Sequence, residues 1–227
     1  MGDWAEAYRT AAVAALAPLE DAERAVHMAA YMRDHFVFLG VTAAPRRAAV
    51  GAATRPLGPP PSEEELLSAA ELLWGVDERE LQYVATDLLA RHRRLLTAGS
   101  LPRLRGLVQA KSWWDTVDAL ASPTIGAVVL TRPELAAEMD RWVDDDDLWV
   151  ARTAIIHQLR FAEATDAERL FDHCLRRASD TEFFLRKAIG WALRQYARTA
   201  PVEVRAFVDA HRAELSPLSV REATKHL

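Results

Sequence analysis

Trp113 and Trp114 stand side by side, and Asp118 follows Trp114 by four positions. On a helix, residues i and i+4 share a face. Trp114 and Asp118 would therefore offer an aromatic plane beside a carboxylate. That pairing suits a cationic guest or a transition state that becomes cationic, because the ring face and the carboxylate both attract positive charge. A third tryptophan, Trp191, and the cations Lys111, Arg152, Arg186, Lys187 and Arg194 lie further along the chain. The chemistry depends on whether the fold gathers them.

The elements that must do so read as helices joined by short turns. Alanine, leucine, arginine and glutamate dominate, which favours helix. Ser62-Glu63-Glu64-Glu65 reads as a capping box opening a helix over Glu63–Trp74. Thr131-Arg132-Pro133-Glu134, Thr165-Asp166-Ala167-Glu168 and Ser219-Val220-Arg221-Glu222 read as three further helix starts, the last running to the C-terminus. The proline-rich run from Arg55 to Pro61 predicts an extended connection. No segment alternates with period two, so no sheet is expected. Ala85, Ala119, Ala154 and Ala188 recur at spacings of 34, 35 and 34 residues, with an aromatic residue five positions before the last three. A small residue at a fixed phase lets neighbouring helices approach. The period therefore predicts an all-α fold: an α-solenoid of stacked antiparallel helix pairs, one domain over 1–227, with its second helices lining a concave basic groove. Residues at matching phase would meet there, which puts Asp118, Arg152 and Arg186–Lys187 near one another.

Composition narrows the classes. The chain has 227 residues, half of them hydrophobic, with a net charge of −5. Its one cysteine, Cys174, excludes a disulfide framework and a paired-cysteine metal site. The N-terminus lacks a basic region followed by an apolar run, and no stretch approaches the length of a membrane helix, so a cytoplasmic protein without membrane attachment is expected. Charge is uneven. Residues 88–114 carry Arg91, Arg93, Arg94, Arg103, Arg105 and Lys111 with no acid, whereas acids gather at Glu63–Glu65, Asp77–Glu80 and Asp144–Asp147. This predicts a basic face opposite an acidic one. His157 and His173 lack a matching ligand pattern, and Cys174 lacks a base partner. No glycine-rich phosphate loop is present. The expectation is no metal and no cofactor.

The chain resembles the AlkD-type HEAT-like-repeat DNA alkylation repair glycosylases. The likeness is carried by Tyr31-Met32-Arg33-Asp34-His35-Phe36-Val37-Phe38-Leu39-Gly40-Val41, Ser112–Asp118, Leu148–Ile155, Glu182–Arg194 and Leu215–Ala223. The resemblance implies hydrolysis of the N-glycosidic bond of cationic alkylated purines, N3-alkyladenine and N7-alkylguanine, in duplex DNA. It implies Asp118 as the catalytic carboxylate, Trp114 and Trp191 as aromatic walls, and Arg152 as a grip on the DNA backbone. Arg186, Lys187, Arg194 and Lys111 are candidate phosphate contacts, and Tyr31, Phe183 and Phe184 candidate site walls. Trp113 reads as core.

The chemistry fits those residue types. An alkylated purine already carries positive charge and leaves as a neutral base, so positive charge builds up on the deoxyribose. A unit charge pair at about 4 Å is worth about 4 kcal/mol at an effective dielectric near 20, and a cation over an aromatic face adds about 0.5–2 kcal/mol. No lysine stands among Asp118, Trp114 and Trp191, so a monofunctional glycosylase is expected, working as a monomer in the cytoplasm on nucleoid DNA. Two other readings remain open: a non-catalytic module for distorted or branched DNA, which needs the cations but not Asp118, and a protein-interaction scaffold, which needs neither.

Overall fold

The computed structural model describes residues 3–225. Among them the fold is all-α, with one isolated bridge between Val37 and Glu78 and no strand. The chain divides into two compact units, Met1–Arg103 and Leu104–Leu227.

The first unit holds α1 (Asp3–Leu16), α2 (Ala22–Tyr31), α3 (Ala43–Thr54), α4 (Glu63–Gly75) and α5 (Arg79–Arg91). Helix α1 packs on α3 and α4, and α4 on α5. Leu16, Leu66, Leu73, Leu81 and Leu89 are completely or almost completely buried between them. Helix α2 buries none of its residues. The segment after it is fixed from below: the fully buried Glu80 accepts from the amides of Leu39, Gly40 and Val41 at 3.0, 2.9 and 3.0 Å. Gly40 is required there. Its φ is +86°, and a Cβ would lie 2.1 Å from the Asp21 carbonyl.

Several helix boundaries differ from the sequence reading. Ser62 caps α4 by accepting from Glu65 N at 3.2 Å. The Glu65 carboxylate, however, turns away and accepts from Ala5 N at 2.9 Å, tying α4 to α1. The connection after α3 is not wholly extended, because Arg55–Leu57 makes a 3₁₀ turn with proline in its tolerated first positions.

The second unit begins inside α6 (Leu101–Gln109) and continues with α7 (Trp114–Leu120), α8 (Ala127–Leu130), α9 (Ala136–Trp142), α10 (Leu148–Ile156), α11 (Ala167–Arg176), α12 (Phe183–Tyr196), α13 (Pro201–Ala210) and α14 (Pro217–Ala223). Helices α7 and α8 are joined without a break by a π-helical turn, Ala121–Gly126. Pro123 sits in that turn; it has no N–H to give to the Ala119 carbonyl and its ring crowds that carbonyl, so the turn widens. Helices α7, α10, α12 and α14 stack in sequence order. Ala154, Ala188 and Ala223 are wholly buried along the stack. Ala223 follows Ala188 by 35 residues and continues the repeat. Gly190 lets α12 approach α14 most closely, since a Cβ there would lie 2.4 Å from Glu222 Cβ and 2.9 Å from the Ser219 carbonyl.

Three caps of this unit fall elsewhere than expected. The Thr131 hydroxyl donates back to the Ala127 and Val128 carbonyls at 3.2 and 3.0 Å, and Pro133–Leu135 forms a 3₁₀ turn before α9. Asp166, not Thr165, caps α11 through Arg169 N at 3.0 Å. Ser216 caps α14 through Ser219 N at 3.0 Å, while Ser219 lies inside that helix and donates to the Arg186 carbonyl at 2.9 Å. The last helix does not run to the C-terminus as expected: α14 ends at Ala223, and Thr224 closes it by donating its N–H to the Val220 carbonyl; residues 226–227 lie outside the described residues.

Candidate active site

Arg152, at the centre of α10, joins three stacked helices. Its Nε and Nη2 donate to Oδ1 and Oδ2 of Asp118 on α7, both at 2.8 Å. Its Nη1 donates to the Phe184 carbonyl at the start of α12, at 2.6 Å. The fork matches a carboxylate edge in plane, the strongest geometry open to this pair. The side chains are 5% and 16% exposed for Arg152 and Asp118. Residues 118 and 152 are 34 apart, one repeat, so the helix stack itself brings them together.

Two influences oppose each other on Asp118. Burial pushes its pKa above the ordinary carboxylate value, and the hydrogen bonds and charge of Arg152 pull it back. Asp115, a like charge on the same helix, adds to the rise. Removing one partner of such a buried pair strands the other, at a cost of about 3–5 kcal/mol. The arrangement holds a largely desolvated carboxylate in one fixed orientation, with part of the side chain still reached by solvent.

An aromatic cluster joins the same three helices. Trp113, the extended residue before α7, packs on Trp149 of α10 and Phe184 of α12 at ring separations of 5.6 and 5.1 Å. Trp149 and Phe184 are 5.0 Å apart, and Phe183 meets Phe184 edge-on at 5.3 Å. Trp113 is thus part of a half-buried cluster. Trp114 opens α7 and is half-buried, as is Trp191 on α12. Phe183 is 54% exposed. Tyr31, 71% exposed, ends α2 in the first unit.

The expected cations have defined surroundings. Lys187 and Arg194 on α12 both reach Glu222 of α14, at 3.1 and 2.6 Å, and Lys225 joins them at 3.1 Å. Three cations thus share one carboxylate, leaving an excess of positive charge. Arg186 Nε donates to the Asp180 carbonyl at 2.7 Å. Lys111 holds a left-handed φ of 48° in the turn between α6 and α7. Several of the expected basic residues pair with the acids instead. Arg103 binds Glu64 and Glu71 at 2.8 and 2.6 Å, Arg105 binds Asp145, and Arg176 binds Asp144 and Asp172. Much of the charge therefore stitches neighbouring helices together.

Sequence reasoning did not single out Trp149, the Phe184 carbonyl or Glu222. Trp149 had a readable signal, since it follows Trp114 by 35 residues. The backbone carbonyl had none. His157 and His173 both turn Nδ1 to the Ala154 carbonyl, at 2.6 and 3.2 Å, and His173 Nε2 meets Asp140 at 2.9 Å. The buried His157 has its pKa lowered to about 4, chiefly by desolvation. Burial pushes the Cys174 thiol far up, so it behaves as a buried apolar group. No helix among the described residues is long and apolar enough to cross a membrane.

Residues 12–227 match the family model described as DNA alkylation repair enzyme. Among solved structures, the chain is similar to one titled "Predicted DNA alkylation repair enzyme from Enterococcus faecalis". The two are 32% identical with a TM-score of 0.83, and the match covers 92% of this chain and 96% of that one. No curated protein matches the chain.

Proposed function

The chain belongs to the family of DNA alkylation repair enzymes, and from that premise we propose that it is an AlkD-type, HEAT-like-repeat DNA glycosylase. Its reaction is hydrolysis of the N-glycosidic bond of N3-alkyladenine and N7-alkylguanine in duplex DNA. The observation that carries this reading is the forked Asp118–Arg152 pair, a desolvated carboxylate with fixed direction beside an aromatic cluster.

In the proposed reaction the C1′–N bond breaks and its electron pair returns to the purine, quenching the ring's positive charge. The base leaves neutral, still carrying its alkyl group. Asp118 faces the positive charge that appears on the deoxyribose. Water adds to C1′, and its proton passes to Asp118 or to solvent. The acid partner used by sugar hydrolases is unnecessary because the leaving group is already cationic. Trp114 and Trp191 stand as the walls that attract both cations. Arg152 uses three of its five N–H groups within the protein, leaving two for a phosphate. Lys187, Arg194, Arg186 and Lys111 supply further backbone contacts, with Phe183 and Phe184 as outer walls. Lys187 is held by Glu222, which favours simple hydrolysis over imine formation and strand cleavage. The protein acts as a monomer.

The test is release of free base from duplex DNA carrying N7-methylguanine or N3-methyladenine, with Asp118→Asn in parallel. Release is expected from the wild type, and only the spontaneous rate from the mutant, without strand nicking. Undiminished release by pure Asp118→Asn removes the mechanism. No release by the wild type, with DNA still bound, makes the protein a non-catalytic DNA-binding module.

A further inference from the structure

The first unit contains a separate cavity of about 290 Å³ between α1, α3 and α5, lined by Tyr8, Arg46, Arg47, Val50, Asp87 and Arg91 among others. Three guanidiniums there face one carboxylate. Arg47 forks onto Asp87 through Nε and Nη2, both at 3.0 Å. Arg46 gives the same carboxylate only Nη2, at 3.1 Å. Its side chain is 7% exposed, it lies 4.9 Å over the Tyr83 ring, and its buried Nε has no hydrogen-bond acceptor. Arg91 makes no side-chain hydrogen bond or ion pair among the described residues, although its charge is felt by Tyr8.

This is an unusual place to find a buried, under-satisfied guanidinium. A charged donor removed from water without an acceptor forfeits its full hydration, and one carboxylate cannot neutralise three arginines. An anion in the cavity would supply the missing negative charge and accept from the guanidinium N–H groups that line it. Tyr8 adds a hydroxyl at the wall. It stays protonated, since burial raises its pKa, against a hydrogen bond with Thr54 that lowers it. Val50, Val84 and Leu88 give apolar sides. The volume lies near the small end of the range for ligand pockets.

We propose that this cavity is a binding site for a small phosphate-class oxyanion, as inorganic phosphate or as the phosphate end of a small ester. Planar arginine forks match phosphate oxygens better than point charges do. A phosphodiester within a duplex reaches the 63%-exposed Arg47 and the exposed Arg91 but not the recessed Arg46. Dependence on Arg46 therefore distinguishes a ligand inside the cavity from a DNA backbone lying across its mouth.

Calorimetric titration of the full chain with inorganic phosphate, and separately with glycerol 3-phosphate, tests this. Saturable binding is expected. It should weaken about tenfold or more in Arg91→Ala and also in Arg46→Lys, which keeps charge but loses the fork. Tighter binding of the ester assigns the site to phosphate esters, and equal binding to phosphate itself. Asp118→Asn should bind phosphate like the wild type, so failure of base release and failure of this site are separable. Circular dichroism identifies any variant that does not fold, and Arg91→Ala, lacking internal bonds, remains informative if Arg46→Lys is lost. Absence of saturation below about 10 mM, or binding indifferent to both substitutions, overturns the site. So does a result in which free phosphate fails to saturate while Arg91→Ala lowers the salt slope of duplex binding by about one, because the arginines then serve the DNA backbone.

Discussion

Asp118 must be ionised to act on a positive sugar, yet burial favours its neutral form. Arg152 is what keeps the charge in place. Because its pKa lies above the ordinary carboxylate value, base release corrected for spontaneous loss should fall on the acid side at a pH above the usual carboxylate range. Arg152→Gln should carry that limb further upward, since it removes the opposing charge and leaves the desolvation. A pH–rate profile of kcat/KM reads both. An acid limb at or below the ordinary carboxylate value would remove Asp118 as the group titrating. Asp118→Asn should also lower the unfolding free energy, by up to the about 3–5 kcal/mol expected when one buried partner loses its counter-charge. Denaturation in urea reads that loss separately from activity. The aspartate was legible from its spacing to Trp114. Its buried arginine partner was not, because spacing shows that two residues meet but not whether solvent remains between them.

At the scale of elements, the alanine period was readable because close helix approach demands a small residue at a fixed phase, and α7, α10 and α12 stack accordingly. Cap positions were less readable. Short polar residues cluster before each helix, and which one caps depends on where the chain enters, as Asp166 beside Thr165 and Ser216 ahead of Ser219 show. The π-helical turn at Pro123 went unforeseen because proline signals a break, whereas packing on both sides carries the helix through it. Two glycines test the packing in opposite directions. Gly190→Ala should destabilise by about 1–3 kcal/mol, because the new Cβ would press on Glu222 and the Ser219 carbonyl. Gly106→Ala, on the exposed face of α6 with nothing within 4 Å of the new Cβ, should stabilise by up to about 1 kcal/mol. Midpoints of urea denaturation compare them; a neutral Gly190→Ala would mean that α12 and α14 can part freely.

At the scale of the whole molecule, the two largest downward pKa shifts that bear on acid stability are those of His157 and Glu222. His157 has its pKa lowered from 6.5 to about 4, so the unfolded chain binds a proton first as pH falls. Its contribution is present above 6.5 and lost as pH drops through about 4. Glu222 is lowered from 4.5 to about 2: desolvation alone would raise it, but the bonds from Lys225, Lys187 and Arg194 outweigh that. Its contribution is present above 4.5 and lost as pH falls through about 2. Unfolding free energy should therefore decline in two stages, and His157→Gln should flatten the first while leaving the second. An unchanged upper stage would locate the proton uptake elsewhere. Glu222→Gln should flatten the second. It should also strengthen binding to undamaged duplex and steepen its salt dependence, because Lys187, Arg194 and Lys225 are released from their shared carboxylate. A duplex affinity that does not rise would separate this cluster from DNA.

The three-helix reach of Arg152 also sets an order of assembly. Its partners lie at residues 118 and 184, so a nascent chain emerging from the ribosome has Asp118 and Arg152 in hand well before the Phe184 carbonyl arrives. Until α12 is made, the pair has no roof: the carboxylate stays wet and its arginine is free to swing. A chain arrested after α10 would carry Asp118, Arg152 and Trp114 but neither the Phe184 carbonyl nor Trp191, and competence would come only once α12 is made.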